Sequence, residues 1–533
     1  YEPFVFAGNL KGNHHTITVN IPKTTENGKH SRGLFKTILG GSGGILIENL
    51  TIAGSVTAYQ YAGGLAGSAS SKVTLENVTN TATVHAEGLG NAAAGGLIGT
   101  YNGGGMYPLT VKNCTNSGTV IADRAVRDNQ AAGFVATMNS SADMSFSGCR
   151  NAGVITGKDY AAGFVSIHNA YNLTCTFENC ANSGAISANA RAAGIAIRCR
   201  LAANCTNSGT ISGNIAGGIL DSGAVKYSTN TGEISGKSCA AGIASSANSG
   251  SMVEFCANFG KVTATAGSGA AKRAYGIASQ GTIKNCFTYN NETHVPVAGA
   301  TGRNCIITNS YYLANSKDEL PSTMGGEYAT LADFASGKVA WGVDGGEGAH
   351  ANYWTQIIGR SQNQMPVGPG RAYPKPIEDP NTEFSVYRAL VQYGTGGTAT
   401  LAANGYGSEN QENAVYGFKG TSVTVTATPK DDTFGLKSLT LDLMGTGSTT
   451  ALESGDSFTL GEANALVVAA FASTGNGGSG DGTGGNGGDG DGSGTDTGDG
   501  AGDEDDEGLQ DGLNMDVEYN IKGLVLAAYA EWG

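Results

Sequence analysis

One short phrase constrains this chain more than any other feature: a glycine, usually preceded by alanine or glycine, followed by a large apolar residue. It reads GLF at Gly33, AGGL at Gly64 and Gly96, AAGF at Gly133 and Gly163, AAGI at Gly194, AGGI at Gly218, AAGI at Gly242 and AYGI at Gly276. The gaps between successive copies are 31, 32, 37, 30, 31, 24, 24 and 34 residues. A loose period of this size marks stacked repeats, in which each unit buries its apolar face only against its neighbours.

Two more phrases keep step with the first. An Asn-Cys pair leads into Asn-x-Gly in NCTNSG from Asn113, NCANSG from Asn179 and NCTNSG from Asn204, with looser forms at Gly148, Phe255 and Glu76. A glycine (Ala82 in one copy), one variable residue and then a β-branched residue place Val56, Val84, Val120, Ile155, Ile186, Ile211, Ile234 and Val262 at equivalent points. Upstream of the cysteine position runs a third apolar column: Ile47, Leu75, Val111, Phe146, Phe177, Val225, Val253 and Ile283, with the weaker Ala202 before Cys205. Each period therefore holds three short apolar runs separated by Gly, Asn and Ser, which predicts three strands and three turns. Runs this short and this rich in β-branched residues cannot sustain a helical stripe. The expected fold is mainly β: a parallel β-solenoid of about nine coils, a rod on the order of 40 Å at the strand spacing of about 4.8 Å. Glycine beside the Leu34, Leu65, Leu97, Phe134, Phe164, Ile195, Ile219, Ile243 and Ile277 column suggests a sharp corner with positive φ.

This pattern resembles the GLUG-repeat proteins of bacterial surfaces over residues 1–312. GLAG at Gly64 to Gly67 and GLIG at Gly96 to Gly99 match the four-residue signature, whereas later copies such as GFVA at Gly133 lose its last glycine. The resemblance implies a displayed, adhesin-like module more than a chemistry. The GTGGTATLAANG and GTSVTVTATPKDD stretches are similar to the surface repeat domains that follow such arrays.

Beyond the array the chain divides into a cap and Pro-rich exit over 313–383, a small antiparallel β spacer over 384–472, a Gly/Asp-rich linker over 473–508 and the start of a helical domain over 509–533. In the cap, ATLADFASGKVAWGV from Ala329 suits a short amphipathic helix through Leu331, Phe334 and Val339 to Trp341. Trp341 and Trp354 are candidates either for the cap core or for an aromatic platform that stacks on sugars. The net charge of -14 is concentrated: residues 473–511 carry eleven acids and no base, leaving 45 − 11 = 34 acids against 31 bases elsewhere. The folded part is nearly neutral, and nothing in it suggests a nucleic-acid surface, which would need a clustered basic face. The acidic segment lacks the apolar residue of a calcium β-roll and the closing Glu of an EF-hand, so weak calcium association is the most its composition supports. No apolar run is long enough to span a membrane in the part shown.

Six of the ten cysteines, Cys114, Cys149, Cys180, Cys205, Cys256 and Cys286, share one slot of the repeat and are expected to form a ladder of buried thiols. Cys175 and Cys199, on neighbouring coils, are the pair a disulfide would join in an oxidising compartment. No CxxC pair argues for zinc, and no HExxH motif, no GxSxG nucleophile elbow and no P-loop appears. The most concentrated polar group precedes the apolar phrase: Asp123, Arg124, Arg127, Asp128, Lys158, Asp159 and Arg191, which are expected to stack into a mixed-charge ridge. As a solvated ridge it would be worth little stability. As a site it offers Asp128, Asp159 and Arg191 to a polysaccharide lyase or hydrolase. The expectation is a non-enzymatic repeat protein without catalytic residues, cofactor or metal, extracellular on a bacterial surface or secreted, binding host or microbial glycans or surface proteins. A carbohydrate-active β-helix enzyme and a purely structural stalk are the alternatives.

Overall fold

The computed structural model describes residues 3–23, 31–41, 43–88, 91–104, 107–123, 128–138, 143–166, 175–245, 251–265, 273–290, 292, 295–300, 305–316, 324–356, 358, 374–377, 380, 385–403, 408–411, 413–444, 446–461 and 463–474. The Gly/Asp-rich linker beyond 474 and the expected helical start at 509–533 lie outside the described residues. The chain forms two compact units, one of 1–335, 342–354 and 372–376, the other of 336–341, 355–371 and 377–533. The expected cap, 313–383, is divided between them.

The first unit is a parallel β-solenoid. The column read from the sequence is continuous, each residue paired with the next: Leu10, Ile47, Leu75, Val111, Phe146, Phe177, Ala202, Val225, Val253, Ile283 and Ile307. Two of these rungs, at Ile283 and Ile307, follow the last copy of the glycine phrase. The columns from Val56 to Val262 and from Leu34 to Ile277 stack in the same way and join one buried core. Aromatic rings stack on adjacent rungs: Phe134 on Phe164 at 4.7 Å, and Phe146 on Phe177 at 4.9 Å.

A full coil has five short strands rather than the three expected: Leu109–Lys112, Thr115–Asn116, Val120–Ala122, Gln130–Ala132 and Val135–Met138. The extra breaks come from a left-handed corner and a tight bend, neither of which interrupts the apolar pattern. The left-handed corner sits on the first Asn of the Asn-Cys phrase and its equivalents. Asn49, Asn77, Asn113, Asn179, Asn204, Asn285 and Asn309 all have φ between 47° and 56°, and Gly148 has 63°. Asparagine tolerates this region better than other side chains because its amide can satisfy local backbone groups.

None of the nine phrase glycines takes positive φ, contrary to the expectation. Their role is close approach. A Cβ on Gly96 would lie 2.5 Å from Asn116 Oδ1, and one on Gly133 would lie 2.6 Å from Asn151 Oδ1. Those amides belong to a ladder inside the coil. Asn80, Asn116, Asn151, Asn182, Asn207 and Asn230 each donate Nδ2 to the Oδ1 of the next rung's Asn at 2.7–2.8 Å, and Asn258 donates to Thr288 Oγ1 at 3.1 Å. The second amide hydrogen goes to the carbonyl two residues on, as in Asn151 to Gly153 at 3.1 Å. The glycine phrase and the Asn-x-Gly phrase recur together because they meet in the interior.

At the end of the array, Tyr311–Leu313 pairs with Glu327–Ala329, and a helix follows at Leu331–Ala335. Thr330 caps it reciprocally: Asp333 N donates to Thr330 Oγ1 at 3.1 Å and Thr330 N donates to Asp333 Oδ2 at 2.9 Å. The single expected helix is two, because Gly337 at φ 89° separates Leu331–Ala335 from Lys338–Asp344. Phe334 and Trp354 pack edge-on against Phe287 at 6.0 and 5.2 Å, covering apolar surface of the late rungs.

The second unit is a two-sheet sandwich. Six strands in the order Ser408–Asn410, Ala414–Gly417, Tyr387–Tyr393, Ala465–Ser473, Phe434–Leu443 and Ser448–Ala451 face three, Gly397–Ala402, Ser422–Pro429 and Ser457–Thr459, across a shared core of Val391, Leu401, Val425, Leu441 and Val467. Period-two alternation predicted antiparallel pairing, and one central pair departs from it: Tyr387–Tyr393 runs parallel to Ala465–Ser473. Alternation fixes which face of a strand is buried and is silent about direction.

Candidate functional site

A groove runs along the solenoid, lined on successive rungs by Asp123, Gly157, Ala188, Gly213, Gly236 and Thr265. It has a volume of about 460 Å³. One wall is a column of hydroxyls, Thr156, Ser187, Ser212 and Ser235, paired rung to rung. The other wall, two residues on, carries Asp123, Lys158, Asn189, Lys237 and Thr265. Backbone bonds keep these in step, with Lys158 N donating to the Ala122 carbonyl at 2.8 Å and Asn189 N donating to the Lys158 carbonyl at 2.9 Å. Between the walls the floor is Gly157, Ala188, Gly213 and Gly236, whose small size leaves the trough open. From Asp123 to Thr265 the lining crosses six rungs, a length of about 24 Å at the usual strand spacing.

The chemistry of the groove repeats with the rungs. Hydroxyls offer a donor and acceptors at each step. Its charged lining residues are Asp123, Lys158 and Lys237. Asp123 Oδ1 lies 3.0 Å from His85 Nε2, one rung earlier. A general acid and base flanking a glycosidic bond would need two carboxyls across the trough, and among the described residues the lining supplies one. Among the described residues no group of three or more His, Cys, Asp or Glu side chains could hold a metal.

The expected charged ridge is not one feature. Asp123 and Lys158 line the groove, while Arg124 and Arg127 lie outside the described residues. Asp128, half-buried at φ 56°, and Asp159 sit past the next corner. Asp159 Oδ2 accepts from the backbone N and the Nδ2 of Asn129, both at 3.0 Å, so it fastens one coil to the previous one. Arg191, partly exposed, is paired with a buried acid. Its Nη1 donates to Asp221 Oδ2 at 2.6 Å, and the Asp221 side chain is 1 % exposed. Ser245 Oγ donates to Asp221 Oδ1 at 2.8 Å, completing a polar seam across three rungs.

Asp221 and the asparagine ladder escaped the sequence reading. Asp221 had a visible signal: it follows the apolar phrase where other copies carry Ala136, Ser166, Ile197 and Ser245, and it is the one acid of that column. The seam borders a crease that buries Cys239 and Tyr275. Burial pushes the Cys239 thiol up to about 11, and raises the Tyr160 phenol with the Asp128 carboxylate adding to it.

The tryptophans do not form a platform. Trp341 is 7 % exposed in the second unit, with Nε1 donating to Asn464 Oδ1 at 2.9 Å and the Arg388 guanidinium 4.2 Å above its ring. Trp354 is 1 % exposed in the first unit, with Nε1 donating to the Asn285 carbonyl at 3.2 Å. Each indole is consumed by its own core. All ten cysteines are free thiols, including Cys175 and Cys199, so the disulfide considered for that pair is not formed. Burial raises Cys175 to about 12 and Cys199 well above its ordinary value.

No family model matches this chain, and no curated protein sequence does. A solved structure to which it is similar is that of "a putative immunoglobulin A1 protease" from Bacteroides ovatus, with a TM-score of 0.27 and 14% identity over 70% of this chain and 91% of that one. At that distance the likeness carries no argument about activity. The class of protein rests on the coordinates themselves: a parallel β-solenoid joined in sequence to a small β sandwich.

Proposed function

We propose that this chain is a non-enzymatic repeat protein that binds an extended, repetitive ligand along the solenoid groove. The observation that carries this reading is the groove itself, about 24 Å long, with hydroxyls on four successive rungs at Thr156, Ser187, Ser212 and Ser235 and, among the described residues, no second carboxylate in its lining. A ligand that repeats along its length gains affinity by engaging many equivalent weak contacts at once. Glycans of a host or of neighbouring microbes, or their surface proteins, fit that description. The GLUG resemblance of residues 1–312 supports display at a bacterial surface or secretion. A glycan array followed by a reducing-sugar release assay tests the proposal. Binding without release, lost in Ser212→Trp at unchanged melting temperature, is the expected outcome. Sustained release would promote the enzyme reading, for which the Asp123–His85 pair at the groove end is the available chemistry. Neither binding nor release would leave a structural stalk.

A further inference from the structure

We infer that the cysteine column inside the solenoid is a row of binding sites for soft monovalent metal ions, Cu(I) above all, each ion held in line between two thiols of adjacent rungs. The column lies in the core, apart from the groove. The residues that follow its cysteines pair rung to rung, Thr115 with Arg150, Arg150 with Ala181 and Ala181 with Thr206, so Cys114, Cys149, Cys180 and Cys205 occupy four successive rungs. Ser228 takes the next rung, and Cys256 and Cys286 take the two after it. All six are free thiols, each 0–1 % exposed. They also point the same way, because each Sγ donates to the carbonyl two residues before it, at 3.1–3.4 Å.

That repetition decides the chemistry. Side chains in one orientation on in-register strands keep the strand spacing, about 4.8 Å. Two metal–sulfur bonds of about 2.3 Å, the length zinc makes to thiolate, span about 4.6 Å when laid end to end. An ion that takes two thiolates in a line therefore fits between neighbouring rungs with little movement. A disulfide asks for more, since it draws the sulfurs to about 2.05 Å and the Cβ atoms to about 3.8 Å. Zinc asks for four ligands at the corners of a tetrahedron, and a single file presents its neighbours along one line. Thiolate is the soft ligand that selects Cu(I). Two backbone groups already address the sulfurs: Val78 N donates to Cys114 Sγ and Cys256 N donates to Cys286 Sγ, both at 3.3 Å. A donor at sulfur favours the charged, metal-binding form of the thiol. Because Ser228 divides the column, the run of four and the run of two make three pairs. Each monovalent ion joins two thiols as a bis-thiolate and displaces one proton from each, with no electron transferred. The slots are buried, so the ions enter while the coils form or open.

The test refolds the whole chain from urea without oxygen, once with Cu(I) buffered by a competing chelator and once with Zn(II). Bound metal is counted after gel filtration for the parent and for the triple variant Cys149→Ser, Cys180→Ser and Cys256→Ser, which leaves no two thiols of the column adjacent. Serine already fills this slot at Ser228 and Ser310, where its hydroxyl accepts from the backbone N of Cys205 and Cys286, so the triple variant is expected to fold. Expected are three more copper ions in the parent than in the triple variant, no such difference for zinc, and one ion fewer in Cys149→Ser alone. X-ray absorption should find two sulfur neighbours per copper, and the copper-loaded parent should melt above the metal-free chain. Should the triple variant fail to fold, the single variant and the absorption spectrum decide. Copper uptake undiminished by the serine substitutions, three or four sulfurs around each ion, or no uptake by the refolded parent would each overturn the inference.

Discussion

At the residue scale, the sharpest correction concerns Arg191. Read from the sequence it is one of several charges in a variable loop, and removing it should cost about 0.5 kcal/mol or less. In the fold it neutralises Asp221, whose carboxylate is almost wholly buried. Truncating one partner of such a pair strands the other, at about 3 kcal/mol when the lost partner keeps some contact with water. Arg191→Ala is therefore expected to lower stability by about that amount in urea unfolding, and Asp221→Asn introduced into it should recover part of the loss by removing the stranded charge. Equal stability of Arg191→Ala and the parent would contradict the pairing. The thiols give a second expectation. Nine of the ten cysteines are buried and Cys305 is partly exposed, so native alkylation should modify Cys305 first and the rest only on unfolding. Because Cys175 is raised from 9.0 to about 12, the folded chain holds its proton where the unfolded chain has lost it. Its contribution is whole below about pH 9 and falls as pH rises towards 12, at about 1.4 kcal/mol per pH unit. The melting temperature should decline more steeply above pH 9 in the parent than in Cys175→Ala.

At the scale of the element, the coil is held as much by amides as by apolar columns. Asn182 receives a bond from Asn151 at 2.7 Å, gives one to Asn207 at 2.7 Å and closes its own turn on Gly184 at 3.0 Å, all with 1 % exposure. Asn182→Ala would leave the Asn151 donor and the Asn207 acceptor facing a void, a loss of about 2–4 kcal/mol. Asn182→Thr should lose less, since Thr288 ends the natural ladder by accepting from Asn258. Chemical denaturation of the two variants decides it, and equal losses would mean that the ladder bonds contribute little beyond volume. These elements also mark what the sequence could disclose. Large apolar residues announce themselves by type, so the Ile47, Val56 and Leu34 columns and the solenoid were legible. Asparagine does not: the same residue serves as an exposed left-handed corner at Asn113 and as a buried rung at Asn116. Only the partner in space separates the two roles. The groove was legible in part, through Asp123 and Lys158. Its hydroxyl wall looked like ordinary strand surface, because concavity comes from the small residues between the walls and not from the walls themselves.

At the scale of the whole molecule, the two units have separate cores, one running from Val19 to Ala314 and the other from Ala389 to Ala469. The first is quasi-one-dimensional: each rung contacts its neighbours, so damage in the middle is felt by the rungs on both sides. Ile219 is fully buried and bonded through its backbone to Ile195 before it and Ile243 after it. Aspartate there would exchange a packed side chain for a charge with no partner, at about 5 kcal/mol or more. Val467, fully buried in the sandwich core, is the corresponding position in the second unit. Scanning calorimetry of the full chain should show two transitions. Ile219→Asp is expected to lower one and leave the other in place, and Val467→Asp to do the reverse, because substitutions that share no contacts act independently. A single transition shifted by both would show that the units unfold as one. An Ile219→Asp variant melting like its parent would remove the rung register on which the core, the seam and the groove all depend.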